Sequence, residues 1–383
     1  MSEINSSNFK KEHGDLAPDL VGVTELTSPY FFVPPSGTTA ERPEDCEPGT
    51  LRFNTDVGSL EVFRGDTIGW EQIQRRESQY LGGGTGSNTG TGTRGITGGG
   101  STPSDRSDVI DFITISTLGN AQDFGNLITA ANRPGGLANS TRGIIAGGTS
   151  PNYNDNIDFI TISSLGDGTD FGNLTESKWY PACVSNQVRG ALGGGYKSPG
   201  SNTDRIEYVS ISQTGNAVDF GNLVAAAREV SAVCSTTRGI FCGGQPGSMT
   251  DVLQFITIMT TGDTTDFGDL NDGNRGTMGA GTSATRGILF GGLAPGASDI
   301  IEFLTMATLG NAIDFGNSTA AFGLRSNGII SDCKRAISAG GATGDYTTIE
   351  FVEIAKTSNA TDFGDLSVGR YTPAGLSNGH VGL

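Results

Sequence analysis

The chain has 383 residues, a formal net charge of -17, and a composition of 35% hydrophobic and 17% charged residues. Its 60 glycines follow no strict three-residue period, which excludes a collagen-like protein and indicates many tight turns. Phosphate backbones and anionic lipids would repel such an acidic protein, so we expect it to bind neither nucleic acid nor a membrane surface.

Residues 1–27 are polar and lack periodicity, which predicts an extended N-terminal arm. The arm does not show the basic and then apolar pattern of a secretory signal. No run in the chain approaches the roughly 18 consecutive apolar residues of a membrane-spanning helix. We therefore expect synthesis in a cytosol without an export tag, and no membrane insertion.

Residues 28–78 contain three short alternating runs: LRFN from Leu51, SLEVF from Ser59 and WEQI from Trp70. Turn residues separate these runs, so the pattern predicts a small three-stranded β-meander module. Three short strands bury little area and would be marginal alone. We expect this module to pack on another copy of itself or on a partner protein.

A longer unit repeats six times after residue 78. The tripeptide Asp-Phe-Gly starts at Asp123, Asp170, Asp219, Asp266, Asp314 and Asp362. The intervals between these positions are 47, 49, 47, 48 and 48 residues. An arginine with a Gly-Gly pair five and six residues later occurs at Arg94, Arg142, Arg189, Arg238, Arg286 and Arg335. Between these markers lies an alternating run such as IDFITI from Ile110, which is typical of a half-buried strand.

Each repeat is interpreted as four short strands, and no helical pattern of ten or more residues is visible. Six repeats of about 48 residues predict that residues 79–383 form an all-β, six-bladed propeller, with seven blades as the alternative. The C-terminal segment from Leu366 looks like a first strand without the rest of its repeat. It is able to complete the repeat that begins near Arg94, which would remove exposed sheet edges.

The repeats resemble kelch repeats in their Gly-Gly pair, which is followed ten to thirteen residues later by an aromatic residue. The resemblance covers about 300 residues. Phenylalanine of Asp-Phe-Gly stands where kelch repeats carry a tryptophan near the fourth strand. The resemblance implies a kelch-like propeller.

Two repeated motifs have structural interpretations. Asp-Phe-Gly resembles the magnesium-binding triplet of protein kinases, but six periodic copies without the companion catalytic loop are not a kinase pattern. We expect a tight turn in which Asp accepts backbone N–H bonds, Phe fills the space between blades and Gly permits a positive φ. We also expect the repeated arginine to donate hydrogen bonds to carbonyls of the neighbouring blade, rather than to bind an anion.

Three runs look like ligand-binding loops. The glycine-rich run from Gly82 lacks the Gly-Lys-Ser/Thr ending of a phosphate loop and predicts a flexible linker or an irregular first strand. NYNDNID from Asn152 and GDGTD from Gly166 have oxygen ligands suited to calcium, but neither continues to a glutamate at the twelfth loop position. The sequence therefore predicts no metal site and no cofactor.

Catalytic groups are scarce in this sequence. The two histidines, His13 and His380, lie near the chain ends, which argues against a catalytic triad or a histidine-bound metal in the repeats. The five cysteines are predicted to be reduced and mostly buried, with a disulfide between Cys234 and Cys242 as the alternative. We predict no catalytic residues and a protein that is not an enzyme.

Variable loops rich in Ser, Pro, Gly, Asn and Asp follow the six Gly-Gly pairs. They begin at Ser101, Thr149, Tyr196, Gln245, Leu293 and Ala342. Repeat symmetry would place all six on one face, where repeat proteins tend to bind their partners. We hypothesise that Tyr153, Tyr196, Lys197 and Tyr346 form a contact surface there, because exposed aromatic residues give area at low entropic cost. Ordinary solvent-exposed loops are the alternative.

The run PPSGTTAERPEDCEPGTLRFNTDVGSLEVFRGDTIGWEQI from Pro34 resembles a small β-module that is common in structural proteins of tailed phages, particularly marine cyanophages. The RGI-x-x-GG and GNA-x-DFGNL repeats are similar to virion proteins of the same phages. Together the resemblances imply a virion structural protein that is assembled in the host cytoplasm. Tail fibre or host-recognition protein is the usual assignment.

The resemblance implies that residues 1–78 bind other virion proteins while the propeller loops contact a host surface glycan or protein. A capsid decoration or tail adaptor with virion contacts alone is the alternative. A polysaccharide-cleaving enzyme is the minor alternative. Fibre proteins are commonly trimers, so the resemblance is also compatible with a homotrimer.

Overall fold

A computed structural model describes residues 34–43, 45–56, 59–66, 69–72, 93–271, 273, 275–294, 296–341 and 346–380. The fold is all-β, and these residues contain no α-helix. The chain divides into two compact units, Met1–Arg75 and Arg76–Leu383. The arm expected over 1–27 and most of the glycine-rich run from Gly82 lie outside the described residues.

The N-terminal unit contains one four-stranded sheet and a short 3-10 helix, Thr39–Glu41. The strands lie in the order Ser36–Gly37, Leu51–Asn54, Ser59–Phe63 and Trp70–Gln72. The last three form the antiparallel meander expected from the alternating sequence. Ser36–Gly37 adds a parallel strand at the edge beside Leu51–Asn54.

A buried carboxylate lies in the core of this unit. Glu61 is fully buried, and its carboxylate pairs with Arg42 at 2.6 Å and with Arg52 at 3.5 Å. The hydrogen bond from Arg42 lowers the pKa of Glu61 despite its burial. The Asn54 amide donates a further bond to this carboxylate at 3.1 Å. An ion-pair network thus supplements the small apolar core of a sheet of this size.

The described part of the repeat unit contains six main sheets, numbered here by the order of their arginine markers, and two small sheets in the connections. Sheet 1 contains Ala374–Ser377, Arg94–Gly98, Val109–Thr114 and Gln122–Asn126. Sheet 2 contains Gly135–Ala138, Arg142–Ala146, Asn156–Thr161 and Thr169–Asn173. Sheet 3 contains Ala182–Ser185, Arg189–Gly193, Arg205–Ser210 and Val218–Asn222.

Sheet 4 contains Ser231–Cys234, Arg238–Cys242, Val252–Thr257 and Thr265–Asp269. Sheet 5 contains Gly279–Thr282, Arg286–Phe290, Gly296–Thr305 and Ile313–Phe322. Sheet 6 contains Arg335–Ala339, Thr348–Glu353 and Thr361–Asp365, which correspond by repeat position to the second, third and fourth strands of the other sheets and are numbered accordingly. Two-residue strands in the connections are Thr149–Ser150, Asn152–Tyr153, Lys178–Trp179, Tyr196–Lys197, Ser201–Asn202, Leu293–Ala294 and Asn327–Gly328.

The first strand of each of sheets 1 to 5 is built mainly from small residues and is fully buried, as in Gly135–Ala138 and Gly279–Thr282. A Cβ atom on Gly136 would lie 2.5 Å from the carbonyl oxygen of Gly375, in the first strand of sheet 1. At this glycine the strands therefore approach each other so closely that a side chain would not fit.

The repeated arginine joins adjacent sheets, as expected from the sequence. Each guanidinium lies over the aromatic ring of the third strand in its own sheet, 4.1–4.8 Å from the ring centroid. Each Nη1 donates to a carbonyl of the next sheet at 2.7–3.2 Å. The pairs are Arg94 with Ile162, Arg142 with Ile211, Arg189 with Ile258, Arg238 with Met306, Arg286 with Ile354 and Arg335 with Ile115.

Asp-Phe-Gly lies within the fourth strand of each sheet, so the expected tight turn was wrong. In sheet 1 the Asp123 side chain is exposed, and Phe124 packs edge-on against Phe112 at 6.1 Å. Gly125 is required because a Cβ atom there would lie 2.5 Å from the carbonyl oxygen of Gly166 in the next sheet. The positive φ expected for this glycine is present, at 151° for Gly125, and the close approach between sheets is a second reason for glycine here.

Equivalent backbone bonds join every pair of adjacent sheets. The amides of Ala121, Gly168, Ala217, Thr264, Ala312 and Ala360 donate at 2.7–2.9 Å to the carbonyls of Asp365, Asn126, Asn173, Asn222, Asp269 and Asn317, respectively. The first of these bonds links sheet 1 to sheet 6, so the series of six returns to its start. As expected from the sequence, Ala374–Ser377 near the C-terminus pairs with Arg94–Gly98.

The segment Asn327–Gly328 lies among the first strands of sheets 1 to 5 and contacts each of them. The Asn327 amide donates to the carbonyls of Pro134 and Pro181 at 3.2 and 2.9 Å. Gly328 has a φ of 135°, and a Cβ atom there would overlap the carbonyl oxygen of Gly375. The chain itself therefore occupies the space between these strands. The connections between strands are the candidate binding surfaces.

Candidate functional site

The connections between second and third strands leave the same end of every repeat sheet, because the strands run in the same order in each. We call the surface formed by these connections the loop face. Neighbouring connections touch: Arg106 Nη2 lies 3.4 Å from the Pro151 carbonyl, and the Asn202 amide donates to the Gln245 carbonyl at 2.8 Å. These contacts bring the loop from Ser101 beside the loop from Thr149, and the loop from Tyr196 beside the loop from Gln245.

A cluster of aromatic and arginine side chains lies on the loop face of sheets 2 to 4. Trp179 packs against Tyr196 at 5.7 Å, and Tyr196 packs against Tyr153 at 6.1 Å. Arg133 lies 4.4 Å from the Trp179 ring centroid, and Arg228 lies 5.2 Å from that of Tyr196. All five side chains are partly exposed, and we call this group the aromatic patch.

Local strand pairing positions the centre of the aromatic patch. Lys178–Trp179 pairs antiparallel with Tyr196–Lys197, so that Trp179 lies opposite Tyr196. Because side chains alternate along a strand, Lys178 points the other way and is fully buried against Glu207 at 2.6 Å. One side chain of this strand therefore anchors it, and the next is presented to solvent.

The ammonium of Lys197, another predicted contact residue, is already paired. Its Nζ donates to Glu176 at 3.0 Å, and the Thr203 hydroxyl donates to the same carboxylate at 3.0 Å. Burial raises the pKa of Glu176, but these two bonds and the positive charges of Lys197 and Arg205 together outweigh it, and the net shift is downward. Lys197 thus supports the strand beside the aromatic patch as part of an ion pair.

Tyr346, the fourth predicted contact residue, lies in a different group. It packs against Tyr371 at 6.0 Å. Tyr371 also lines a polar depression of about 220 Å³, together with Asn132 and the loop Ser101–Arg106. The structure therefore brings Tyr153 and Tyr196 together and places Tyr346 beside the polar depression.

Sequence reasoning missed Trp179, Arg133 and Arg228 because only the loops after the Gly-Gly pairs were searched. These three residues lie in the connections from one sheet to the first strand of the next. Trp179 and Tyr371 immediately follow Lys178 and Arg370, which bury their charged heads. The available sequence signal was a basic residue followed by an aromatic residue before the first strand, as in Lys178-Trp179 and Arg370-Tyr371.

The titratable groups that the structure describes include several that are buried. They contain no cluster of three or more His, Cys, Asp or Glu side chains able to hold a metal ion. His380 is buried, with Nδ1 2.7 Å from the Ser377 carbonyl, and burial lowers its pKa to about 4. Cys183, Cys234 and Cys242 are buried free thiols, as expected, and burial raises the pKa of each.

Comparison with models of protein families and with curated proteins finds no match to this chain. Within the described ranges, no helix has both the length and the apolar character needed to cross a membrane. What the protein binds is therefore inferred from its own side chains.

Proposed function

We propose that the six repeat sheets are the blades of a kelch-like, six-bladed β-propeller. The closed series of backbone bonds, from sheet 1 through sheet 6 and back to sheet 1, supports this arrangement. The pairing of Ala374–Ser377 with Arg94–Gly98 supports closure by strands from both ends of the repeat unit. A seventh blade would have to separate sheets 6 and 1, where the Ala121 amide bonds to Asp365 at 2.7 Å.

This propeller acts as a non-enzymatic recognition platform whose aromatic patch binds a saccharide. The single observation that carries the proposal is the partly exposed row of Tyr153, Tyr196 and Trp179, flanked by two arginines. Flat aromatic faces offer apolar area to the C–H faces of sugar rings. The arginines donate several hydrogen bonds to hydroxyl or acidic groups.

The saccharide belongs to a host cell surface, and the protein is a tail fibre or receptor-binding component of a phage virion. Support comes from the resemblance of the run from Pro34 to cyanophage virion modules. In this assignment, residues 1–78 attach to other virion proteins. A capsid decoration or tail adaptor protein is the second candidate, because the same loop face could bind a virion partner instead.

We expect Trp179→Ala to reduce binding to purified cyanobacterial lipopolysaccharide by about tenfold or more, because central aromatic residues dominate such surfaces. Tyr196→Ala is expected to act in the same direction. Binding is measured by surface plasmon resonance with the full chain. Leu165→Ala is the control, since this leucine is 59% exposed at the opposite end of sheet 2.

Equal binding by the wild-type protein and Trp179→Ala would contradict the saccharide site. The virion position is tested separately, by immunogold electron microscopy of particles. Label at the distal tail supports the receptor-binding assignment, whereas label at the collar or capsid supports the second candidate. Release of reducing sugar by the purified protein would overturn the non-enzymatic assignment.

A further inference from the structure

One interior position is acidic in nearly every repeat. This position lies in the third strand of each sheet, and its side chain is 7% exposed or less in every repeat. The residues are Asp111, Asp158, Glu207, Gln254, Glu302 and Glu350. A buried carboxylate without a counter-charge is unfavourable, because it loses its hydration and gains nothing in return. Each repeat therefore needs a way to compensate this group.

Four repeats compensate it with a cation of their own chain. Lys178 pairs with Glu207 at 2.6 Å, and Arg370 pairs with Asp111 at 2.6 Å. Arg275 and Arg325 pair in the same way with Glu302 and Glu350, respectively. The chain therefore delivers one unit of positive charge to this position in sheets 1, 3, 5 and 6.

Sheet 4 compensates differently, by removing the charge. Ala227 occupies the position that Lys178 occupies before sheet 3. The backbone carbonyl of each residue accepts a hydrogen bond, at 2.8 Å, from the amide of the second glycine of a Gly-Gly pair. Gln254 replaces the acid, and its Oε1 accepts bonds from the Val224 amide at 2.8 Å and the Thr264 hydroxyl at 2.6 Å. A repeat with alanine at the cation position thus has a neutral amide in place of the carboxylate.

Sheet 2 has neither a cation of its own chain at this position nor a neutral amide in place of the acid. Ala131 occupies the cation position, since it accepts the equivalent bond from Gly100 at 2.8 Å. Asp158 nevertheless keeps its carboxylate, which accepts the Ile128 amide at 3.0 Å. Among the described residues, no Lys or Arg forms an ion pair with Asp158, and its cross-strand neighbour is another acid, Asp170.

A cavity lies where the missing cation would be. Its volume is about 10 Å³, and Asp158, Ala131, Asn154, Asn156 and Gly147 contribute to its lining. This is the volume that one water-sized occupant requires. The buried Asn154 Oδ1 has no hydrogen-bond partner among the described atoms.

The polar groups around this cavity are those that hold a cation in another repeat. In sheet 5, Arg275 Nη1 donates at 3.1 Å to the carbonyls of Gly291 and Ile300. By repeat position, Gly291 corresponds to Gly147, and Ile300 corresponds to Asn156. Both counterparts line the sheet 2 cavity.

We propose that the cavity beside Asp158 binds one monovalent cation, Na⁺ or K⁺, which replaces the charge that Lys and Arg supply in the other repeats. The lining offers carboxylate, amide and carbonyl oxygens, which are hard ligands suited to such ions. A single carboxylate matches a single positive charge. Asp158 is only 7% exposed, so a carboxylate at this position loses most of its hydration and needs a counter-charge.

The test compares the Tm of the full chain in NaCl, KCl and choline chloride at pH 7.5 and equal ionic strength. We expect Na⁺ or K⁺ to raise the Tm by about 2–4 °C relative to choline, which is too large for the cavity. Asp158→Asn, the counterpart of Gln254, and Ala131→Lys, the counterpart of Lys178, are each expected to abolish this difference. A wild-type protein without the difference, or an equal difference in both variants, would overturn the proposal.

A second measurement does not depend on the variants folding. Crystals of the wild-type protein grown in KCl are soaked in RbCl, and anomalous diffraction is recorded at the rubidium edge. An anomalous peak within about 3 Å of Asp158 is expected, whereas density for water alone at that position would refute the cation.

Discussion

At the scale of single residues, burial decides the charge state of groups whose sequence context looks ordinary. Asp158 and Glu207 occupy equivalent positions, but only Glu207 has a lysine within ion-pair distance. His380 lies near the C-terminus, yet its side chain is 1% exposed, with Nε2 3.0 Å from the Ser185 hydroxyl. Its neutral form is therefore favoured in the folded protein.

We expect His380 to make the fold sensitive to mild acid. Its pKa is about 4 when folded and about 6.5 when unfolded, so the unfolded state binds the proton first. Stability is complete above pH 6.5 and falls as the pH drops towards 4, by about 2 kcal/mol at pH 5. Urea unfolding of the wild-type protein and His380→Asn at pH 7.5 and pH 5 measures this loss. Equal losses in the two proteins would exclude His380 as the cause.

At the scale of elements, the second strand of each sheet serves as the link to the next sheet. Arg189 lies 4.1 Å from the Tyr208 ring centroid and donates to the Ile258 carbonyl at 3.2 Å. A planar guanidinium performs both tasks at once, whereas an ammonium does not stack in this way. This is the reason that the repeat carries arginine here and never lysine.

We expect Arg189→Lys to lower the free energy of unfolding by about 1–2 kcal/mol, because the stacking contact and the directed hydrogen bond are lost together. Arg205→Lys in the same sheet is the control. Its side chain is 39% exposed and its ion pairs are 3.8 and 4.0 Å long, so the expected change is below about 0.5 kcal/mol. Urea denaturation measures both. Similar losses in the two variants would contradict a special role for the guanidinium.

At the scale of the repeat unit, the strand Ala374–Ser377 joins the C-terminal segment to sheet 1. It pairs with Arg94–Gly98 and contributes Leu376, which is 1% exposed, to the core beside Ile96. The same strand also pairs in parallel with Asn327–Gly328, the segment that lies among the first strands of sheets 1 to 5. Without it, sheet 1 would present an unpaired edge, which is an aggregation hazard.

We expect removal of residues 374–383 to lower the Tm by roughly 10 °C or more and to cause association at the exposed edge. Addition of a synthetic peptide spanning 372–383 should restore the wild-type Tm, since it can reoccupy the vacated strand position. A peptide with Leu376→Asp is the matched control and should not restore it. Differential scanning calorimetry and sedimentation velocity provide the measurements. A truncated chain with the wild-type Tm would refute the role of this strand.

The sequence predicted the repeated features well, because six copies of one pattern reveal what every repeat needs. The four strands of most repeats, the arginine bonds between sheets and the pairing of the C-terminal segment with Arg94–Gly98 were all expected. The turn at Asp-Phe-Gly was wrong, since the close approach of Gly125 to Gly166 of the next sheet is not visible in a single repeat. Within the loop face, the sequence found Tyr153 and Tyr196 but not Trp179.

By itself, then, the sequence determined the all-β class, the number of repeats and the strand pattern, because these follow from local alternation and period. Tertiary structure alone decided which side chains meet across different sheets. It placed Trp179 against Tyr196, Asn327 among the first strands, and Asp158 beside a cavity with no cation of its own. Such contacts join residues from separate repeats or connections, and no local pattern specifies their distance.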